Sequence, residues 1–175
     1  LARVLHNAQS LRASEPLYRA FARHRVHILE GSLLEERVLD QVLHAFRGGN
    51  LVLVACNTVG RAQEVYRALR SRVPPARCRD LYLLHGRFHG VDRQEKERCI
   101  QQAAQLGSTE RRPVLLVATQ VVEVSLNLDL DVLFSEPAPL EALVQRFGRV
   151  NRKRMTDSAP VYICTEPGDG QGVYD

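Results

Sequence analysis

Two continuous apolar runs constrain the fold of this chain more than any other feature. Residues 51–55 read LVLVA and residues 114–118 read VLLVA, with no polar position in either run. A strand without a polar face is buried on both sides, which is typical of parallel sheets covered by helices. Segments with helical spacing lie between such runs. The sequence therefore predicts an α/β fold, a doubly wound, mainly parallel sheet with helices on both faces.

Further strands are predicted at residues 81–84, 131–134 and 161–164, and the alternating run 24–29 indicates a half-buried strand at a sheet edge. Ser32 with Glu35, and Asp92 with Glu95, have the spacing of capping boxes at helix starts. The domain predicted from these elements spans residues 26–165. Residues 1–25 are expected to form a lead-in segment and residues 166–175 a Gly-rich tail or linker.

Bulk composition narrows the class of protein. The 175 residues suit one domain, and the absence of an initiator Met suggests a piece of a longer chain. No apolar run approaches the roughly 20 residues of a membrane span. Four scattered Cys residues, without a Cys-x-x-Cys pair, favour a reducing cytoplasm over a disulfide framework. The six His residues have no metal-ligand spacing, so no metal site is predicted.

Parallel sheets bind ligands at the carboxyl ends of their strands. Five candidate binding residues follow predicted strands in this way: Asn57, Thr58, Arg87, Thr119 and Gln120. Polar residues directly after apolar strands are the positions that this rule singles out for a bound ligand. For Thr58 and Thr119, the alternative is that each hydroxyl simply caps the following helix.

Residues 145–154, QRFGRVNRKR, contain five basic residues and no acidic one. Arg149 and Arg152 are three positions apart, which on a helix or on the turn that ends one places both on the same side. Gly148 precedes them and leaves room for close approach to the backbone. Two rigid, permanently charged forks suit a phosphate. The alternatives are a solvated basic surface and, for Arg146, pairing with an acid.

The spacing Gln145-x-x-Gly148-Arg149-x-x-Arg152 resembles motif VI of superfamily 2 helicases. Residues 117–129, VATQVVEVSLNLD, are similar to motif V, and residues 57–63 to motif IV. More narrowly, these segments and residues 84–88, LHGRF, resemble the CRISPR-associated helicase–nuclease of type I systems. The resemblance covers residues 26–165 and implies the second RecA-like domain of such a helicase.

The resemblance also implies roles for single residues. Arg149 and Arg152 are expected to act as arginine fingers towards ATP with Mg²⁺, which a first RecA-like domain of the same parent chain would mainly hold. Gln145 is expected to position the attacking water or the terminal phosphate. Asp129 and Asn127 are expected near the nucleotide sugar or ordering the arginines, with Gly148 lining the nucleotide. The family usually has Asp where this chain has Asn127, which would weaken that contact.

The whole resemblance predicts an ATP-dependent translocase on single-stranded DNA that serves a CRISPR surveillance complex. It also implies that the five candidate binding residues after the strands contact the DNA backbone through hydroxyls, backbone N–H groups and charge. The chain has no Gly-x-x-x-x-Gly-Lys-Ser/Thr loop and no Asp-Glu pair after a buried strand, so by itself it is expected to be inactive as an ATPase. Two alternatives remain open at this point. One is another superfamily 2 motor acting on RNA, and the other is a non-catalytic nucleic-acid-binding module with this fold.

Overall fold

The computed structural model describes residues 22–88, 90–103, 112–124 and 128–167. One sheet in these ranges is built from β1 (His24–Leu29), β2 (Leu51–Ala55), β3 (Leu81–Leu84), β4 (Val114–Ala118), β5 (Val132–Ser135) and β6 (Ala159–Cys164). The strands lie in the order β1-β6-β5-β2-β4-β3, and each neighbouring pair is parallel. The predicted parallel sheet is confirmed.

The described helices are α1 (Glu36–Arg47), α2 (Val59–Arg70), α3 (Gly90–Ala103), α4 (Val121–Val124) and α5 (Leu140–Phe147), with a 3₁₀ helix at Pro75–Asp80. One hydrophobic core joins α1 and α2 to one side of the sheet, for example to Val52 and Val54. A second core joins α3 and α4 to the opposite side, where Leu51 and Leu53 point. Alternate residues of one strand thus feed two cores, as the apolar runs predicted.

Burial along the strands follows their place in the sheet. All residues of β2 and β4 are buried, because each strand has neighbours on both sides and helices on both faces. The alternating strand β1 lies at the edge, as predicted, and pairs with β6. The half-burial predicted for β1 is wrong, because two of its apolar residues are largely open to solvent, with Val26 51% and Ile28 63% exposed.

Helix termini agree only partly with the sequence signals. Thr58 caps α2 by accepting a hydrogen bond from the Arg61 N–H at 3.1 Å. The Glu35 carboxylate accepts from the Ser32 N–H at 3.2 Å, but Glu35 rather than Ser32 is the N-cap of α1. The prediction that Asp92 starts a capping box is wrong. Helix α3 already begins at Gly90, which leaves Asp92 inside the first turn, where its charge complements the helix dipole.

Helix α5 connects the two ends of the sheet. It begins shortly after the carboxyl end of β5 and runs back beside the strands for eight residues. Just beyond its end, Val150 forms a parallel bridge with Leu130, which precedes the first residue of β5. Residues that follow α5 therefore lie at the amino edge of the sheet, by which we mean the side where the strands begin. Residues that follow the strands lie at the carboxyl edge, the side where the strands end.

Candidate functional site

The two arginines singled out by the sequence lie at the amino edge of the sheet. Arg149 and Arg152 belong to the turns after α5 and not to the helix itself. The bridge beside them is closed by Leu130 N–H donating to the Arg149 carbonyl at 2.9 Å and Asn151 N–H donating to the Leu130 carbonyl at 2.9 Å. Arg149 is half-buried and Arg152 exposed. This segment is therefore fixed by its backbone, with the Arg152 side chain exposed to solvent and the Arg149 Nε atom buried.

Asp129 holds the backbone of the arginine-bearing turn. Its Oδ1 accepts from the Arg152 N–H at 2.7 Å, and its Oδ2 accepts from the Lys153 N–H at 3.1 Å. The Asp129 side chain lies in the interior, since the residue is only 2% exposed. Hydrogen bonds from N–H groups to a buried carboxylate are among the stronger ones in proteins. Of the two roles expected for Asp129, these contacts support ordering of the arginines.

Gly148 caps the carboxyl end of α5, and its N–H donates to the Val144 carbonyl at 3.0 Å. A Cβ at this position would lie 3.3 Å from the Gln145 carbonyl oxygen and 3.4 Å from that of Val144. Both oxygens belong to the backbone of α5 itself, and the φ of −62° is open to any residue, so the fold does not require glycine here. Gln145 itself is exposed on the last turn of α5. Asn127 lies outside the described residues.

Asn151 shapes the turn between the arginines and was missed by the sequence interpretation. Its backbone adopts φ +48°, a left-handed conformation that Asn tolerates better than most residues. Its side-chain amide donates to the Arg23 carbonyl at 3.1 Å and to the Thr156 carbonyl at 2.8 Å, and its Oδ1 accepts from the Thr156 N–H at 3.2 Å. An Asn amid basic residues was the available signal, since Asn is a frequent turn residue.

His24, in the edge strand, also supports this turn. A ring nitrogen, Nε2, lies 2.8 Å from the Val150 carbonyl oxygen. The imidazole packs against the Phe147 ring with centroids 5.6 Å apart. These contacts join β1 to the end of α5, although 126 positions separate His24 from Val150. No local sequence signal reports such a contact.

The five candidate binding residues lie, as expected, just after the strands β2, β3 and β4. Gln120 donates its side-chain amide to the Asn57 carbonyl at 2.8 Å, so the β2 and β4 ends are joined. Thr119 is 4% exposed, and its N–H donates to the Leu84 carbonyl at 3.1 Å, which joins the β3 and β4 ends. Arg87 is exposed. Thr58 is half-buried, and its hydroxyl serves the α2 cap.

Both polar atoms of the Asn57 side chain are bonded inside the protein. Its N–H donates to the Glu136 carboxylate at 2.5 Å, and its side-chain amide donates to the Pro137 carbonyl at 2.9 Å. Its Oδ1 accepts from Arg146 at 3.0 Å. Asn57 is 7% exposed. It therefore organises the strand ends more than it presents a surface.

Arg146 is the largest fully buried side chain of the described residues, at 0% exposure. Besides Asn57, its guanidinium donates to the Ser135 hydroxyl at 2.9 Å and to the Glu136 carbonyl at 3.3 Å. The Glu136 carboxylate, 1% exposed, also lies 3.4 Å from Arg61 Nε. A buried charge is retained only where it is paired and hydrogen-bonded. The sequence singled out neither Glu136 nor Arg61 for this cluster.

An aromatic contact lies near the β3 end. His85, 5% exposed, stacks on Phe88 with ring centroids 4.1 Å apart, and the Lys96 ammonium lies 4.8 Å from the centre of the same ring. Burial and the nearby Arg87 and Lys96 charges lower the pKa of His85 from its usual value, although a backbone hydrogen bond opposes the shift. The imidazole is therefore neutral at physiological pH.

Two further observations concern the described residues as a whole. No three His, Cys, Asp or Glu side chains among them stand together as a metal-binding group. None of the described helices has the length and apolar character needed to cross a membrane.

The comparisons with known proteins agree with the resemblance drawn from the motifs. Residues 48–155 match the family model described as CRISPR-associated nuclease/helicase Cas3, C-terminal. The putative CRISPR-associated nuclease/helicase Cas3 of Methanocaldococcus jannaschii is 36% identical over 120 residues, which are 69% of this chain and 16% of the relative.

Solved structures give the same result. T. fusca Cas3 with ADP superposes with a TM-score of 0.72 and 31% identity, over 85% of this chain and 19% of that one. A chain in a CRISPR RNA-guided surveillance complex before nicking gives a TM-score of 0.63 and 31% identity, over 85% of this chain and 19% of that one. This chain thus spans less than a fifth of each of these proteins. It belongs to the family of the C-terminal helicase domain of CRISPR-associated nuclease/helicase Cas3.

Proposed function

We propose that this domain is the second motor domain of an ATP-driven translocase on single-stranded DNA, within a type I CRISPR helicase–nuclease in the cytoplasm. A first RecA-like domain of the same parent chain would hold ATP with Mg²⁺. Arg149 and Arg152 would reach across the cleft to the phosphates. ATP binding would close the cleft and hydrolysis would open it, which moves the strand.

The observation that carries this proposal is the clamp of Asp129 on the turn that bears Arg152. Charge that develops on a transferring phosphoryl group is stabilised best by cations fixed in advance. A simple basic surface for nucleic acid has no need of a buried carboxylate that binds two successive N–H groups. The clamp thus favours phosphate chemistry over general backbone binding.

The residues near the arginines receive roles from their positions. Gln145, exposed on the last turn of α5, would orient the attacking water or the terminal phosphate. Gly148 would let the nucleotide approach the backbone at the helix end. Asp129 would order Arg152 and not touch the sugar, because its side chain is only 2% exposed and is directed at the backbone of the turn. Asn127 remains a candidate from the resemblance alone.

The carboxyl edge would hold the DNA strand. Thr58, Arg87 and Gln120 follow neighbouring strands and would contact the DNA backbone through hydroxyl, guanidinium and amide groups. Thr119, which is only 4% exposed and donates its N–H to the Leu84 carbonyl, would hold the β3 and β4 ends together. Asn57 would stabilise this edge from the protein interior, since its polar groups are bonded within the protein.

A CRISPR surveillance complex is the proposed partner of the parent protein. A similar chain occurs in a structure described as a CRISPR RNA-guided surveillance complex before nicking. That complex would deliver the displaced single strand to the motor.

The first test is ATP turnover by the parent protein with single-stranded DNA, single-stranded RNA or neither. We expect DNA alone to stimulate turnover, and Arg149→Ala to lower the stimulated rate by about a thousandfold or more, as loss of an arginine finger does. Arg98→Ala, which removes an exposed arginine of α3, is the matched control and should keep the rate. Stimulation by RNA would point to a different motor. Normal turnover by Arg149→Ala would instead favour a non-catalytic, nucleic-acid-binding role for this domain.

A further inference from the structure

The amino edge and the carboxyl edge are joined through one residue, Arg146. Its backbone carbonyl accepts a hydrogen bond from the Arg149 N–H at 3.0 Å, at the amino edge. Its side chain runs in the opposite direction, towards the start of α5, as helical side chains do. There the guanidinium contacts the ends of β5 and β2. A single buried residue thus touches both the arginine-bearing turn and the strand ends.

The contacts at the strand ends form a closed set. Arg146 donates to Ser135, to the Glu136 carbonyl and to Asn57. Asn57 in turn donates to Glu136 and accepts from Gln120. A shift of the loop after β2 or β4 therefore cannot leave the guanidinium in place without breaking one of these bonds.

The guanidinium is held by geometry as well as by charge. Its two terminal nitrogens, Nη1 and Nη2, donate to acceptors on two different strand ends. A lysine ammonium is a single donor centre on a flexible stem and cannot span the two in the same way. Because Arg146 is fully buried, water cannot replace a lost bond.

We propose that Arg146 is a positioning residue that links DNA binding at the carboxyl edge to the placement of Arg149 at the amino edge. The inference rests on the proposed function, because it assigns the two edges to DNA and nucleotide. According to this proposal, binding of the DNA strand displaces the loops that carry Thr58 and Gln120. Asn57 passes this change to Arg146, and helix α5 carries it to the arginine-bearing turn.

The test uses the parent protein with Arg146→Lys, Asn57→Ala and the double variant. We expect each single change to lower the ratio of DNA-stimulated to DNA-free ATP turnover by about tenfold, the scale of a typical coupling energy between sites. The Kd of Arg146→Lys for single-stranded DNA should change less than threefold. The double variant should lose no more than either single one, because both changes break the same link.

A stability control separates positioning from general damage. Val42→Ala removes buried methyl groups of α1, in the core on one face of the sheet. It should lower the melting temperature while it keeps the turnover ratio. The proposal is overturned if Arg146→Lys keeps the ratio, if its ratio and its DNA affinity fall together, or if Val42→Ala loses the ratio in proportion to its melting temperature. A wild-type parent without DNA stimulation would instead refute the proposed function itself.

Discussion

The Asp129 carboxylate accepts a 2.7 Å hydrogen bond from the Arg152 backbone N–H. Asp129 lies before β5, and Arg152 lies after α5. The pair is 23 positions apart in the chain, yet it fixes the turn from which the Arg152 guanidinium projects. The order of this turn therefore depends on a carboxylate from another segment.

Replacing Asp129 by Asn tests this clamp. Asn keeps the shape but loses the charge and one of the two acceptors, so the turn should loosen. We expect ATP turnover by the parent protein to fall by up to about a hundredfold, the effect of a small misplacement of a catalytic group. Asp131→Asn is the matched control. Asp131 accepts from the Leu51 N–H at 2.8 Å at the same edge, and its loss should cost stability with little effect on turnover.

Substitutions of Asn151 test its left-handed backbone. Asn151→Gly loses the side-chain bonds but keeps φ +48° without strain, whereas Asn151→Ala loses both. We expect the Ala variant to be less stable than the Gly variant by about 1 kcal/mol in urea unfolding of the chain.

The order should reverse at Asn50, whose side chain also bonds a carbonyl but whose φ is not positive. There Gly should be the less stable replacement, because it gains more freedom in the unfolded chain. If the Ala and Gly variants had the same order of stability at both positions, backbone strain would not govern the turn.

Thr58 has two possible roles that substitution can separate. Thr58→Ala removes the cap of α2 and should cost about 1 kcal/mol of stability. Thr58→Ser keeps an acceptor for the Arg61 N–H and should retain most of that stability. If the hydroxyl also contacts DNA, Thr58→Ala should weaken binding of single-stranded DNA in the parent protein, and Thr58→Ser should keep it. A loss of stability without a loss of binding would show that Thr58 is only a cap.

The four Cys residues should react with alkylating reagents in two groups. Burial raises the pKa of the Cys56 thiol well above its usual range, and burial with the nearby Glu136 raises the pKa of Cys164 to about 12. Because the thiolate is the nucleophile, neither should react in the folded chain at pH 7 or pH 9.

The half-buried Cys78 and Cys99 should react first. Mass spectrometry after short exposure would count two modified thiols in the folded chain and four in urea. Rapid labelling of Cys56 in the folded chain would mean that the core beneath the carboxyl edge opens readily.

The sheet could be predicted from the sequence because its signals are local. The burial of strands 51–55 and 114–118 is evident from five consecutive apolar residues, and the cap at Thr58 depends only on residues close to it in the sequence. The sequence left open whether Arg149 and Arg152 lie on a helix or on the turn that ends one, and the structure places them after the helix. Their place at the amino edge could not be predicted, because it depends on the direction of α5 and on the bridge between Leu130 and Val150.

The support of the site could not be predicted because its partners are distant. Arg146 and Asn57 are 89 positions apart, and Asn151 and Arg23 are 128 apart. Short-range periodicity says nothing about such pairs. The capping box at Asp92 failed for the opposite reason, since a local pattern was present but the helix had already begun at Gly90.

The edge strand β1 has a consequence for handling the domain by itself. Among the described residues β1 pairs only with β6, so its outer N–H and C=O groups have no strand neighbour. Val26 and Ile28 add apolar surface to the same strand. Open, apolar edges recruit further strands and promote aggregation. The separated domain should therefore self-associate as its concentration rises, and a lysine in place of Ile28 should keep it dispersed.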